Sequence, residues 1–190
     1  MEIVHYPHPA LRWKSKPVRE INARLRTVVR EMFELMYQSK GIGLAANQVA
    51  LPYRVFIINV GGERDAADEE HVFINPEIVS RKGSVEGEEG CLSLPELYGQ
   101  VRRAEEIVVE AFDLKGRPFE MSLTELPGRV VQHETDHLDG VLFPDRMSEI
   151  PRRELEPRLA DFETIFRHQQ KMGEIPSDEE IQRRLRELEQ

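Results

Sequence analysis

Between Asn22 and Lys40 the apolar positions Leu25, Val28, Val29, Met32, Phe33 and Met36 recur at three- and four-residue steps. That spacing gathers them on one face of a helix, and Gly41 supplies a stop. From Arg54 to Glu125 the pattern shortens. RVFIINV, HVFINPEIV, EEIVVEAFD and RPFEMSLTE are runs rich in Val, Ile and Phe, separated by Gly, Asp and Pro, and they predict strands. The stretch GGERDAADEE between the first two reads as a polar loop. A second helix is predicted over Gly128–Leu138, with Pro127 suited to its first turn and Gly140 to its stop. Val130, Val131 and Leu138 fall on more than one side of it, so it should be buried. Beyond Pro144 the composition turns to Arg, Glu and Gln, with Pro157 and Pro176 expected to break the stretch. Ser177 and Glu180 form a capping-box pattern before a last short helix. Helix, several strands, then helix is an α+β order and not an alternation of βα units.

Composition narrows this only modestly. A chain of 190 residues, 39% hydrophobic and 32% charged, suits one domain with its own core and a trailing segment. A net charge of −9 argues against a bulk electrostatic grip on nucleic acid or acidic membrane, while leaving a local basic patch open. The N-terminus lacks the apolar stretch of a secretory signal, and no run approaches the roughly 18 apolar residues of a membrane span. The single cysteine, Cys91, excludes an intrachain disulfide and points to a reducing cytoplasm.

The candidate chemistry lies in VQHETDHLDG, Val131–Gly140. On a helix, His133 and His137 stand four apart and can offer both imidazoles to one ion. Glu134, one position on, is placed to act as general base. The plainer alternative is a pair of histidines on a partly polar helix. A catalytic metal usually takes a third protein ligand. The metzincin pattern would place it at Phe143, which cannot bind a metal. A thermolysin-like site would draw on Glu154 or Glu163, both in the charged tail. Cys91, in EEGCLSLP, is the upstream candidate: a lone cysteine is commonly a small buried hydrophobe, but one thiolate and two imidazoles would leave the fourth tetrahedral position open.

GIGLAANQV (Gly41–Val49), EGCLS (Glu89–Ser93) and QHETDHLDG (Gln132–Gly140) together resemble the three motifs of the peptide deformylases, in order and over about residues 1 to 147. The resemblance implies short antiparallel β-sheets around a buried metal-bearing helix, with an N-terminal helix before it and a helical C-terminal tail. It implies a catalytic region over 1–147 and a helical extension over 148–190. It implies removal of formyl from the N-terminal methionine of new polypeptides, and one ion per chain held by Cys91, His133 and His137. That ion would be ferrous iron, with zinc, nickel or cobalt able to substitute. Gln48 and the backbone N–H of Leu92 would stabilise the oxyanion. Ile42 and Val130 are candidates for a methionine pocket, with core packing as the alternative. Gly43 and Gly90 would let substrate backbone pair as an added strand, and Glu89 would orient a ligand histidine with Arg102 as its ionic partner.

Gly41, Gly43 and Ala46 also satisfy G-x-G-x-x-A, but a dinucleotide fingerprint needs a strand before it and a helix after it. Glu96 stands where the family often has glycine. In some bacterial relatives a C-terminal helix docks at the ribosome. Here Ser148–Gln190 has 11 acidic and 8 basic residues, so its default reading is a solvated helix packed on the domain or on a second copy. A zinc endopeptidase and a non-catalytic structural metal protein are the competing functions. The first is opposed by Phe143 and the Cys91 motif, the second by the lack of a fourth protein ligand.

Overall fold

Helix α1, Ala23–Gln38, begins where Asn22 Oδ1 accepts from Leu25 N–H at 3.0 Å, a side-chain cap on the first turn. Its stop differs from expectation. Lys40, and not Gly41, takes the left-handed conformation, with φ of 56°. Lys40 N–H bonds Tyr37 O and Gly41 N–H bonds Met36 O, which closes a Schellman turn. Gly41 is needed for room: a Cβ there would meet Leu92 Cδ1 at 2.7 Å. The computed structural model describes residues 1–62, 64 and 69–189. Half of the polar loop expected over GGERDAADEE (63 and 65–68) lies outside the described residues.

Among the described residues seven strands follow in chain order: β1 Gly43–Ala45, β2 Val55–Ile58, β3 His71–Lys82, β4 Val85–Cys91, β5 Leu94–Arg103, β6 Glu106–Phe112 and β7 Pro118–Thr124. The four predicted runs are β2, β3, β6 and β7; the hairpin β4–β5 was not among them. Among the described residues there are two sheets, a five-stranded one in the order β1-β2-β3-β6-β7 and the two-stranded β4–β5, with every ladder antiparallel. Pro76, which cannot donate to a ladder, falls in a register shift between Ile74 and Glu77, where no partner is required.

Strand β2 shows why the sheet sits where it does. Val55 and Ile57 point into a core shared with Leu25, Val29, Met32 and Met36 of α1. Phe56 and Ile58 point the other way, into a core with Phe73, Ile107, Val109 and the second helix. That helix, α2, runs Glu125–Leu138, three residues earlier than expected, with Pro127 in its first turn. From Val130 to Leu138 every residue is buried. Gly140, φ 74°, ends it as expected, with Gly140 N–H to His137 O and Val141 N–H to Asp136 O.

The tail forms α3, Glu149–Met172, and α4, Asp178–Leu188. Pro157 does not break α3 as expected. It is exposed, so the Arg153 carbonyl it leaves without a helical partner can turn to water. Leu155, Leu159 and Phe162 pack against a core of Leu94, Leu97, Val101, Leu142 and Phe143. Phe166, Ile181 and Leu185 close over Ala10. No helix among the described residues is long and apolar enough to cross a membrane.

Candidate metal centre

Buried α2 and the tip of the β4–β5 hairpin meet at one point. Cys91 Sγ lies 3.2 Å from His137 Nε2, and His137 Nε2 lies 3.2 Å from His133 Nε2. One ligand atom from each of the three residues falls within 4.8 Å of the others. Tetrahedral coordination with ordinary zinc-type bond lengths requires about 3.3 Å between two nitrogens and about 3.5 Å between nitrogen and sulfur. The donor set suits a single ion, and the two separations from His137 Nε2 lie close to those values. Phe143 is buried in the core, and neither Glu154 nor Glu163 joins the cluster; Glu163 accepts from Tyr6 Oη at 2.6 Å. Gly41, Gly43 and Ala46 follow a helix and lead into β1 and a 3-10 turn, not the strand–turn–helix of a dinucleotide site.

Glu134 faces the same point from α2. A Cβ on Gly43 would stand 2.6 Å from Glu134 Oε1, so the glycine is what lets β1 run past the carboxylate. Glu134 Oε2 is buried without a hydrogen-bond partner among the described residues. Burial pushes this carboxyl up to about 7; the nearby Glu89 charge adds to the effect, while His133 and Arg103 oppose it.

Outside the ligands, Glu89 Oε2 holds His133 Nδ1 at 2.9 Å, which turns Nε2 toward the centre. Burial works against the Glu89 charge, but hydrogen bonds from Arg103 and His133 overcome it and hold the carboxyl well below the usual range. The partner expected for Glu89 was Arg102; it is Arg103, whose Nε and Nη2 both reach the carboxylate at 2.8 Å. Alternation along β5 decides this, since Val101 and Arg103 face inward and Arg102 faces solvent. Arg103 Nη1 also binds Asp136 Oδ2 at 2.5 Å, and Asp136 takes Arg146 through both oxygens. Asp136, Arg146 and Arg129, which also reaches Glu89, were not singled out from the sequence. Arg129 stands one helical turn before His133 and Asp136 lies within QHETDHLDG, but neither position names its partner across the fold.

Gln48 is 2% exposed, in the 3-10 turn Ala46–Val49. Its Oε1 accepts from Ala45 N–H at 2.8 Å, so its amide nitrogen must face the other way, toward Ser93 Oγ at 3.2 Å and Cys91 Sγ at 3.5 Å. Asn47, its neighbour, donates from Nδ2 to His137 O. A cleft of about 860 Å³ opens over the cluster, and Ile42, Gly43, Gln48, Gly90, Leu92, Val130 and Glu134 all line it. Ile42 and Val130 are both cleft wall and core. Gly90 admits the Tyr98 ring, which a Cβ would meet at 2.8 Å.

Three potential metal ligands meeting at one point, with a carboxylate beside them and a cleft above, suit a metal-dependent hydrolase. Within that class the comparisons with known proteins are specific. The polypeptide deformylase family model matches residues 1–153. The peptide deformylase of Rhodopirellula baltica is 46% identical over 94% of this chain and 88% of its own length. A solved Arabidopsis thaliana peptide deformylase 1B is 40% identical with a TM-score of 0.85, covering 93% of this chain and 96% of that one. A Plasmodium falciparum peptide deformylase is 37% identical with a TM-score of 0.85, covering 88% and 98%. The chain belongs to the peptide deformylase family. It is a metal-dependent enzyme that removes the formyl group from the N-terminal formylmethionine of newly made polypeptides.

Proposed function

We propose that Cys91, His133 and His137 hold one ferrous ion, with zinc, nickel or cobalt able to replace it, and that Glu134 is the general base of deformylation. The observation behind this is the meeting of the three ligand atoms within 4.8 Å beside a buried carboxylate in an open cleft. When bound, such an ion supplies a Lewis acid and an activated water at neutral pH. Glu134 takes a proton from the attacking water and passes it to the leaving nitrogen as the formyl C–N bond breaks, giving formate and a free amine. The Gln48 amide and the Leu92 N–H serve as donors to the tetrahedral oxyanion. The pinning of Gln48 Oε1 by Ala45 N–H supports that role, because it leaves the nitrogen to face the centre.

Ile42 and Val130 wall the pocket for the methionine side chain. Gly43 lies on the free edge of β1 and Gly90 on that of β4, which suits a substrate backbone added as a strand. Residues 1–147 form the catalytic unit and 148–190 a helical extension. A cytoplasmic location is supported by the free thiol of Cys91 that the site requires. The acidic balance of the extension favours packing on the domain over a ribosome contact.

Anaerobically purified protein should contain one iron per chain and turn over formyl-Met-Ala-Ser without cleaving casein. Cys91→Ala, His133→Ala and His137→Ala should each lose most of the metal. Stoichiometric metal in Cys91→Ala would remove the thiolate from the site, and casein cleavage without deformylation would favour an endopeptidase.

A further inference from the structure

The three ligands sit on two separate elements, His133 and His137 on α2 and Cys91 at the end of β4. The thiolate-to-imidazole separation therefore depends on how the hairpin is seated on the helix. Polar bridges make that joint: Glu89 to His133, Arg103 to Asp136, Ala104 to Gln132, and a set from Arg129.

Arg129 precedes His133 by one turn and projects on the same side of α2. Its Nη1 donates to Glu89 Oε1 at 2.8 Å, to Val101 O at 2.9 Å and to Gly87 O at 3.3 Å, and its Nη2 donates to Val85 O at 3.1 Å. One guanidinium thus reaches β4 at Val85, Gly87 and Glu89, and β5 at Val101. Together with Arg103 and His133 it fills the acceptor positions of the Glu89 carboxylate. The contact depends on Gly87, where a Cβ would meet Arg129 Nη2 at 2.8 Å and Cζ at 2.9 Å.

We propose that Arg129 is a positioning residue for the metal site. It locks the hairpin bearing Cys91 to the helix bearing His133 and His137, and through Glu89 it holds His133 in orientation. This rests on the assignment of those three residues as ligands. A lysine would not substitute, because it keeps one charge but lacks the fixed two-nitrogen fork, in which Nη2 holds Val85 O while Nη1 holds Glu89 and Val101 O.

The test uses cobalt(II)-loaded full-length protein, reading the thiolate-to-cobalt absorption, the rate of metal transfer to a chelator, and kcat and KM separately. Arg129→Met should release cobalt about tenfold faster or more, as loss of a ligand's supporting partner does. Its cobalt bands should shift, kcat should fall, and Arg129→Lys should not restore any of these. Gly87→Ala keeps the guanidinium but displaces it, and should change release and spectrum in the same direction by less. Wild-type bands and release with only KM raised would overturn the proposal, leaving Arg129 as a wall of the cleft. Full rescue by lysine would overturn it in favour of charge alone. If Arg129→Met fails to fold, wild-type cobalt behaviour in Gly87→Ala overturns it. Absence of a thiolate-to-cobalt band in the wild type would instead refute the ligand assignment.

Discussion

Glu134 and His133 are neighbours in the chain with different surroundings: the histidine's outer nitrogen is tied to Glu89, and one carboxylate oxygen of Glu134 is buried with no partner among the described residues. Glu134→Gln keeps size and burial but cannot accept the proton, so metal content should hold while turnover falls by roughly a hundredfold or more. Near-normal activity would end the general-base assignment, and loss of metal would make Glu134 a ligand or its support. Gln48→Ala should lower kcat by about 10²–10³ with a smaller change in KM, the loss typical of an oxyanion donor. A raised KM with unchanged kcat would make Gln48 a binding residue. Gln48 is also buried, and its loss strands the Ala45 N–H. A stability cost of about 1–3 kcal/mol should accompany the kinetic effect, visible in thermal melting.

Among the elements, α1, α2 and four strands were legible because each has a local period that needs no knowledge of its neighbours. The β4–β5 hairpin was not. After Val85, VEGEEGC holds only glycines, glutamates and a cysteine, and it becomes a strand because β5 pairs with it and α2 accepts Glu89 through His133. Pro157 was misread for the converse reason: a local rule against proline in helices was overridden by the packing of Leu155, Leu159 and Phe162. It still deprives Arg153 O of a helical bond. Pro157→Ala should therefore stabilise α3 by up to about 3 kcal/mol. Urea denaturation followed by circular dichroism measures this, and no gain would mean that the exposed turn is already compensated by water.

At the scale of the whole molecule, the tail closes over the N-terminal segment. His8 Nδ1 caps the 3-10 turn by accepting from Ala10 N–H at 3.2 Å, and its ring meets Phe166 of α3 edge-on at 6.0 Å. Trp13 Nε1 donates to Glu189 at 2.7 Å just beyond α4. Burial lowers the His8 pKa from 6.5 to about 4, against the opposing charge of Asp178. The unfolded chain takes up this proton near 6.5 and the folded chain only near 4. The contribution is thus full above 6.5, declines as the pH falls, and is gone below about 4. His8→Asn keeps a capping acceptor without a titrating ring. Its stability should fall less than the wild type's between pH 7 and pH 4, by on the order of 2 kcal/mol after allowing for partial exposure. Identical pH slopes in urea titrations would remove His8 from the acid response.

The sequence by itself determined what is local or carried by residue type: two histidines on one helical face, a glutamate beside them, glycines at close approaches, and alternating strands around a helix. The motifs around Gln48, Cys91 and His133 were enough to point to the deformylases. Tertiary structure alone decided which residues answer those across the fold. Arg103 faces Glu89 where Arg102 was expected, because one step along β5 exchanges inside for outside. Asp136 and Arg146 join the same network, and Arg129 spans both strands of the hairpin, because elements far apart in the chain are pressed together on α2. The distance between a thiol and two imidazoles belongs to that packing, since neither element holds all of Cys91, His133 and His137.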